Sequence, residues 1–383
     1  FMEVALSKTN ISEKIRYLLW AKSAGRCEFN GCNEPLYSDN VTQIEMNFAE
    51  VAHIIGDSPR GPRGEITLSQ EYCDNISNLM LMCPKHHKMI DQITQNYSVE
   101  ILRQMKQDHE SRIRILTNIK PNKTSNLIIY RGNIGSFQPA IEYREALIAM
   151  QPQWYPASHL AYEIGMLNSL FHDDEKRFWE IETENLERQF RDKIQGLLGR
   201  QGQRNHFSIF AFAPIPLLIK LGSLIPDIYP AQVYQLKKEP QSWEWQPAPE
   251  RFDYLISEPQ DNHPTVALNL SLSADITEER IYQALGRKSI SIWRMDISET
   301  IFPKNDHLRS AGQLTLFSRK FRKMLDQIKA KHGQETILHV FPAIPVSIAV
   351  EIGRVRQAKA DLPFLIYDQN NKTNGFTPTI KIE

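Results

Sequence analysis

Short apolar runs separated by polar loops make up the first third of the chain and predict small helices and strands. Residues 11–24 carry apolar side chains at helical spacing behind Ser12, a residue type that caps helices, so they predict a helix that ends at Gly25. Pro84 suits the first turn of another helix, because its missing N–H would be unbonded there in any case. The pattern further predicts strands at 48–55 and 79–82, a loop at 56–74 and a charged helix at 99–116.

From about residue 127 the pattern changes to long charged helices that alternate with apolar strands, which is typical of α/β architecture. At 383 residues the chain is long enough for two or three domains. Residues 120–126 (KPNKTSN) predict a linker between an N-terminal domain at 1–119 and a C-terminal domain at 127–383.

The C-terminal part carries a weak internal repeat. In each copy a long charged helix is followed by an apolar strand, a Pro-containing apolar run and a second strand. Pro216 aligns with Pro345, and Gly222 aligns roughly with Gly353. Two such copies predict a pseudo-symmetric domain with a crevice between its halves, although Pro and Gly also punctuate α/β proteins that have no repeat.

Composition adds limits on location and partners. Basic and acidic side chains number 45 each, so a nucleic-acid partner must be argued from a local site and not from net charge. Four cysteines do not make a disulfide framework, and they predict reduced thiols in the cytoplasm. Residues 1–10 lack the apolar core of a signal peptide, and no window reaches the roughly 18 apolar residues of a membrane span.

Two short clusters have the spacing of zinc ligands. Cys27 and Cys32 are separated by four residues, and Cys83 and His86 by two, so both pairs can close on one tetrahedral ion. The alternative is a set of unrelated buried thiols. Cys73 has no partner in this pattern.

A second set of residues suits phosphodiester hydrolysis. His87 and Asp91 are four apart and share one helix face, where both can reach Mg²⁺ or a similar divalent ion. His53, at the end of a predicted strand, can act as the general base, and Asn78 can hold its loop by hydrogen bonding. The alternatives are a structural His53 and an Asp91 that pairs with a surface lysine.

Residues 14–112 resemble an HNH endonuclease, on the segments LLWAKSAGRCEFNGC, EVAHI, NLMLMCPKHHKMID and MKQDHE. The resemblance implies an α+β, ββα-metal fold with a structural zinc. It makes His53, Asn78 and His87 the three motif residues. Ala52 stands where many members carry a metal ligand, so Asp91 or a water is expected to fill that coordination position. His86 replaces a zinc-binding cysteine.

Several C-terminal residues are candidates for ligand contact, since open α/β sheets bind ligands at strand ends and aromatic side chains stack on bases. Each has a structural alternative in packing, capping or surface solvation. The candidates are Trp243, Trp245, Ser271, Ser273, Arg354, Arg356 and Lys359.

Residues 126–383 resemble a SAVED domain, on FAFAPIPLLIKLG, VYQLKKEPQSWEW, VALNLSLSADI, HVFPAIPVSIAVEIGR and LPFLIYDQN. The resemblance implies an α/β domain of two CARF-like, Rossmann-like halves that binds a cyclic di- or trinucleotide. An HNH domain joined to a SAVED domain is similar to the effectors of bacterial CBASS anti-phage systems. That similarity implies degradation of double-stranded DNA by a ligand-induced homo-oligomer.

Two other functions stay open. One is an HNH restriction endonuclease whose C-terminal domain recognises modified DNA. The other is a binding module with a decayed nuclease, which the alanine at position 52 makes conceivable.

Overall fold

The computed structural model describes residues 10–135, 137, 140–166, 169, 171–199, 205–298, 303–370, 372 and 375–383. The chain divides into two units, residues 1–120 and 121–383. The first strand of the second unit begins at Thr124 and pairs with Tyr155 there, so the predicted linker at 120–126 is too long at its C-terminal end. Among the described residues, no helix has the length and apolarity that crossing a membrane requires.

The first unit is built around a two-stranded antiparallel sheet and the helix that follows it. His53 ends β1 and lies opposite Leu79, the first residue of β2. This ββα arrangement is the one that the sequence predicts. Its elements are α1 (Glu13–Ser23), β1 (Glu50–His53), α2 (Leu68–Tyr72), β2 (Leu79–Met82), α3 (Pro84–Gln92) and α4 (Val99–Thr117), with 3₁₀ turns at Ile76–Asn78 and Thr94–Asn96.

Capping residues and hydrophobic periodicity in the sequence predicted most of these elements correctly. The Ser12 side chain accepts a hydrogen bond from the N–H of Ile15 and caps α1, and Pro84 opens α3 as its first residue. The structure differs at β1, which stops at His53, because the Asn78 side chain takes over both backbone groups of Ile55. It also differs in the predicted loop at 56–74, where α2 forms a helix too short to leave a periodic pattern.

The first half of the second unit is a mostly parallel sheet in the order β4-β3-β6-β7, with β5 also paired to β3. Its elements are β3 (Thr124–Gly132), α5 (Tyr143–Met150), β4 (Tyr155–Pro156), β5 (Tyr162–Met166), α6 (Lys176–Lys193), α7 (Gln195–Leu198), β6 (Phe207–Phe212), α8 (Ile215–Leu224), β7 (Ala231–Val233), β8 (Lys237–Lys238) and β9 (Gln241–Ser242).

The second half has a six-stranded sheet in the order β10-β12-β11-β13-β14-β15, with parallel inner strands and antiparallel outer ones. One continuous buried cluster contains side chains from this sheet and from the first. Its elements are β10 (Tyr254–Ser257), β11 (Val266–Ser271), α9 (Glu278–Leu285), β12 (Ser291–Ile297), α10 (Ala311–His332), β13 (Leu338–Ala343), α11 (Val346–Val355), β14 (Phe364–Asn370) and β15 (Gly375–Ile382), with a 3₁₀ turn at Lys304–Asp306.

The element order confirms the internal repeat, because α6-β6-α8-β7 is matched by α10-β13-α11-β14. One detail of the predicted alignment is wrong. Pro214, and not Pro216, is the residue that precedes α8 as Pro345 precedes α11. With that change Gly222 and Gly353 become the eighth residue of their helices, without any offset.

The two glycines lie where α8 and α11 cross. A Cβ on Gly222 would stand 1.9 Å from the Val350 carbonyl oxygen, and one on Gly353 would stand 2.0 Å from the Ile219 carbonyl oxygen. Backbone atoms cannot move aside as the end of a side chain can, so only glycine allows this close approach. The crossing therefore joins the two halves of the second unit.

We expect Gly222→Ala to destabilise the second unit by about 1–3 kcal/mol, because the added methyl group overpacks the helix crossing. Chemical denaturation monitored by tryptophan fluorescence measures the change. The matched control is Gly196→Ala in α7, where a Cβ would meet no described atom within 4 Å. Equal stability of the two variants would show that the helices do not cross at these glycines.

Candidate metal and nuclease site

Three thiols and one imidazole converge at the start of α3. The Sγ atoms of Cys27, Cys32 and Cys83 and a ring nitrogen of His86 all lie within 4.8 Å of one another. His86 Nδ1 is 3.2 Å from the sulfur of Cys83 and 3.8 Å from that of Cys27. The sequence predicts these four residues as one ligand set, and the structure brings them together.

The chemistry of this donor set fits zinc. Tetrahedral Cys₃His is a common structural zinc set, and the ligating form of cysteine is the thiolate. Burial raises the pKa of the Cys27 and Cys83 thiols, so without a cation both would stay protonated. A dication would reverse that preference and hold the two ligand pairs together.

The same cluster determines where α3 begins. Cys83 is the N-cap residue of this helix, and its N–H points at the Cys27 sulfur at 3.4 Å. The His86 ring stacks on Phe29 at 4.1 Å between centroids. Since His87 is the next residue along the helix, any ion held by the cluster also fixes the direction of His87.

His53 is oriented by a backbone carbonyl. Its Nε2 lies 2.8 Å from the carbonyl oxygen of Cys73, which follows α2. A carbonyl oxygen only accepts, so Nε2 carries the proton and Nδ1 has a free lone pair. That is the tautomer a general base needs. Sequence analysis missed this role of residue 73, because a carbonyl leaves no side-chain signal.

Asn78 ties the end of β1 to α2. Its side chain is 2% exposed, accepts from the Ile55 N–H at 2.8 Å, and donates to the carbonyl oxygens of Ile55 and Tyr72. These hydrogen bonds connect the segment after His53 with the helix that supplies the orienting carbonyl. They suit the positioning role that the sequence predicts for Asn78.

His87 lies between two carboxylates. Its Nδ1 is 2.7 Å from Glu50 Oε2, and its Nε2 is 3.4 Å from Asp91 Oδ2. The hydrogen bond to Asp91, supported by Glu50, raises the pKa of His87. Burial opposes the ionisation of Asp91, but hydrogen bonds from His87 and Arg63 outweigh it and hold the Asp91 pKa below its usual value.

Arg63 is a second residue that sequence analysis missed. Its side chain is 5% exposed and bonds to Asp91 Oδ1 at 2.8 Å and to the carbonyl oxygens of His53, Ile54 and Ile90. The ion-pair partner of Asp91 is thus a buried arginine and not the surface lysine considered as an alternative. One Asp91 oxygen remains directed at His87.

The donors around His87 fit an ion that keeps most of its water. Among the described residues, the cysteine cluster is the only group of three or more His, Cys, Asp or Glu whose ligand atoms come so close together. His87 and Asp91 offer two donors. Mg²⁺ accepts such a site, because it usually retains several waters and binds substrate phosphate as well.

Four of the predicted ligand-binding residues have buried side chains in the second unit. Ser271 is fully buried, and its hydroxyl donates to Asn269 Oδ1 and accepts from the Ile276 N–H. Trp243 is 2% exposed and packs edge-on against Phe210. The structure corrects the prediction for both, because a ligand would reach them only by opening the core.

The two predicted arginines are also buried, although Arg354 borders the cavity between the two halves. Arg354 donates to the carbonyl oxygens of Ile225 and Tyr229, and Arg356 to those of Leu362 and Glu383. Both side chains are buried, and their donors are used inside the protein. Of the other candidates, Trp245 and Ser273 are half-buried and Lys359 is exposed.

A cavity of about 410 Å³ lies between the two halves, where the repeat predicts a crevice. In its wall Trp154 stacks on His206 with 3.5 Å between ring centroids. Burial, with the nearby charges of Arg354 and Lys123, lowers the pKa of His206 to about 4, so this ring is neutral. The wall also includes Gln232, Thr315, Ser318, Glu351 and the predicted ligand residue Arg354.

Comparison with solved structures finds 46 similar chains, and three of them are of a Cap4 SAVED/CARF-domain containing receptor from Acinetobacter baumannii. The form with the cyclic trinucleotide 2'3'3'-cAAA has a TM-score of 0.41 and 13% identity, over 78% of this chain and 61% of that one. The form with 3'3'3'-cAAA has a TM-score of 0.40 and 14% identity, over 78% of this chain and 61% of that one. The receptor described without a ligand has a TM-score of 0.39 and 12% identity, over 78% of this chain and 60% of that one. This chain thus spans less than two thirds of their length.

Two family models match the chain, while a search of curated proteins finds no significant match. Residues 27–93 match the HNH endonuclease family, and they include the cysteine cluster, His53 and His87. Residues 186–382 match the SAVED family, described as the "SMODS-associated and fused to various effectors sensor domain". Because this second match covers more than half of the 383 residues, the chain belongs to the SAVED family, and the unit that precedes this match carries an HNH endonuclease domain.

Proposed function

We propose that the protein is a cyclic-nucleotide-activated, metal-dependent DNA endonuclease, an effector of the CBASS type. The observation that supports it is one nuclease domain and one sensor domain in a single chain. The SAVED unit binds a cyclic di- or trinucleotide, occupied chains assemble, and the HNH units then cut double-stranded DNA.

In the nuclease unit His53 is the general base. Its Nε2–H is held by the Cys73 carbonyl, so Nδ1 takes a proton from the attacking water. His87 and Asp91 would hold a divalent ion, which would stabilise the negative charge that develops on the phosphate. Asn78 ties the strand end to α2, and Arg63 ties it to α3. Cys27, Cys32, Cys83 and His86 hold a structural zinc ion.

Ligand control follows from differential binding. The chain has no net charge, so one nuclease unit has no broad positive field with which to hold DNA. An assembly of several chains gains avidity without new contacts. The ligand must bind assembled chains more tightly than single chains. A ligand that bound both states equally would not shift the equilibrium between them. We assign the ligand to the crevice between the SAVED halves, where the 410 Å³ cavity lies.

For the structural zinc we expect Cys83→Ser to lower zinc content from about one ion per chain to none, because it removes one of four ligands. The first unit should then melt at a lower temperature, since zinc binding is coupled to folding in such domains. Elemental analysis and calorimetry measure the two effects. Cys73→Ser is the matched control and should keep its zinc, because Cys73 lies outside the cluster and its thiol donates to the Gln70 carbonyl oxygen, as a serine hydroxyl also can. Full zinc content in Cys83→Ser would disprove the ligand set.

For the general base we expect His53→Ala to slow DNA cleavage by about 10²–10⁴-fold, the usual contribution of such a group. Its zinc content and cyclic-nucleotide affinity should match the wild type. Cleavage rates on plasmid DNA in Mg²⁺ provide the measurement. Loss of zinc together with activity would instead make His53 a structural residue.

For ligand control we expect plasmid cleavage only when a cyclic oligonucleotide is added. The experiment mixes the full chain, Mg²⁺ and unmodified plasmid with a panel of cyclic di- and trinucleotides, and adds a modified plasmid without any ligand. Thr315 is an exposed residue that lines the cavity, so Thr315→Trp should fill part of the space and weaken the response to the ligand. Cleavage of modified plasmid alone would favour the restriction-enzyme alternative, and equal cleavage in every mixture would refute the gating.

A further inference from the structure

The two carboxylates beside His87 are not equivalent. Glu50 lies against Nδ1 at 2.7 Å, a normal length for a charged hydrogen bond, whereas Asp91 stands 3.4 Å from Nε2. The two ring nitrogens point in different directions. The ring therefore has a short contact on one side and a wider one on the other.

The short contact requires a proton between the two atoms. A carboxylate only accepts, so a nitrogen 2.7 Å away must carry N–H. With Nδ1 protonated, Nε2 is the nitrogen that can present a lone pair when the ring is neutral. That lone pair faces Asp91 Oδ2 across a gap into which a cation fits, since a nitrogen and an oxygen that each ligate one ion at about 2.1 Å stand roughly 3 Å apart.

We propose that Glu50 is the positioning residue for His87: its carboxylate holds the Nδ1–H and so directs the Nε2 lone pair, together with Asp91, towards the divalent ion. The inference rests on the proposed nuclease function and deepens it. It corresponds to the general arrangement in which the second nitrogen of a metal-binding histidine donates to a carboxylate. It gives a role to a strand residue for which the sequence offered no function.

The geometry favours this role over direct ligation by Glu50. Its Oε2 touches the ring nitrogen on the side away from Asp91, so one ion cannot easily contact all three side chains. In agreement, these three do not form a close group of ligand atoms among the described residues. Glu50 therefore does not simply substitute for the ligand that is absent at Ala52.

The surroundings leave His87 and Asp91 little freedom to rearrange. Arg63 holds the other Asp91 oxygen at 2.8 Å and also donates to the His53 carbonyl oxygen. The Glu50 side chain is 47% exposed, so its removal should not open the core. A change of Glu50 should thus act on the ring of His87 and not on the fold.

The experiment compares Glu50→Gln and Glu50→Ala in the full chain, with Glu45→Ala as control, because Glu45 is an exposed glutamate on the same unit. Mn²⁺ binding is measured by paramagnetic resonance without DNA or cyclic nucleotide. The tautomer of His87 is read from ¹⁵N-histidine spectra in saturating Mg²⁺, and His87→Gln assigns its signal. Thermal melting checks folding.

We expect Glu50→Ala to raise the Mn²⁺ Kd by about 10–100-fold and to remove the Nδ1–H signal of His87. Glu50→Gln should keep that signal, because its amide oxygen still accepts, and should lose less affinity. Unchanged affinity in Glu50→Ala would overturn the proposal. Equal losses in the two variants, with the Nδ1–H signal retained in both, would also overturn it, since they would make Glu50 a direct ligand.

Failure of the proposed function would look different. A wild-type chain that binds Mn²⁺ through a His87 with Nδ1–H, yet never cuts DNA with any ligand, would refute the nuclease proposal and leave the role of Glu50 intact.

Discussion

The convergence of Cys27, Cys32, Cys83 and His86 is the constraint on which the nuclease unit depends. It attaches the turn after α1 to the first turn of α3, and these two segments are more than fifty residues apart in the chain. Because α3 has nine residues and the sheet beside it has two strands, packing alone offers a small core here. His86 belongs to this cluster, and the adjacent His87 lies between Glu50 and Asp91, so the cluster also orients the proposed metal-binding histidine.

The rest of the site is built from backbone groups as much as from side chains. The Cys73 carbonyl selects the His53 tautomer, and the buried Arg63 gathers the carbonyl oxygens of His53, Ile54 and Ile90. Such hydrogen bonds fix the orientation of His53 and Arg63 without adding negative charge to the site. The cost is a buried guanidinium, which Asp91 and the three carbonyls compensate.

The sensor unit uses close backbone approach for a different purpose. At the α8–α11 crossing Gly222 and Gly353 remove the side chains that would hold the helices apart, and Arg354 bonds across to the carbonyl oxygens of Ile225 and Tyr229. The two halves therefore share one core. In the proposed function, a ligand in the crevice would contact two halves that are already joined, and the signal would pass on by assembly of chains.

The sequence by itself determined the two domains, the four cysteine-cluster residues, the ββα order and the repeat, because each depends on short spacings or on hydrophobic periodicity that local chemistry imposes. Tertiary structure alone decided which polar residues face a site. Arg356, Trp243 and Ser271 have the composition of ligand contacts but are buried with their partners inside the protein. Glu50 and Arg63 resemble ordinary surface charges in the sequence, yet they flank His87 and Asp91. Burial and hydrogen-bond pairing depend on segments distant in the chain, so no local pattern records them.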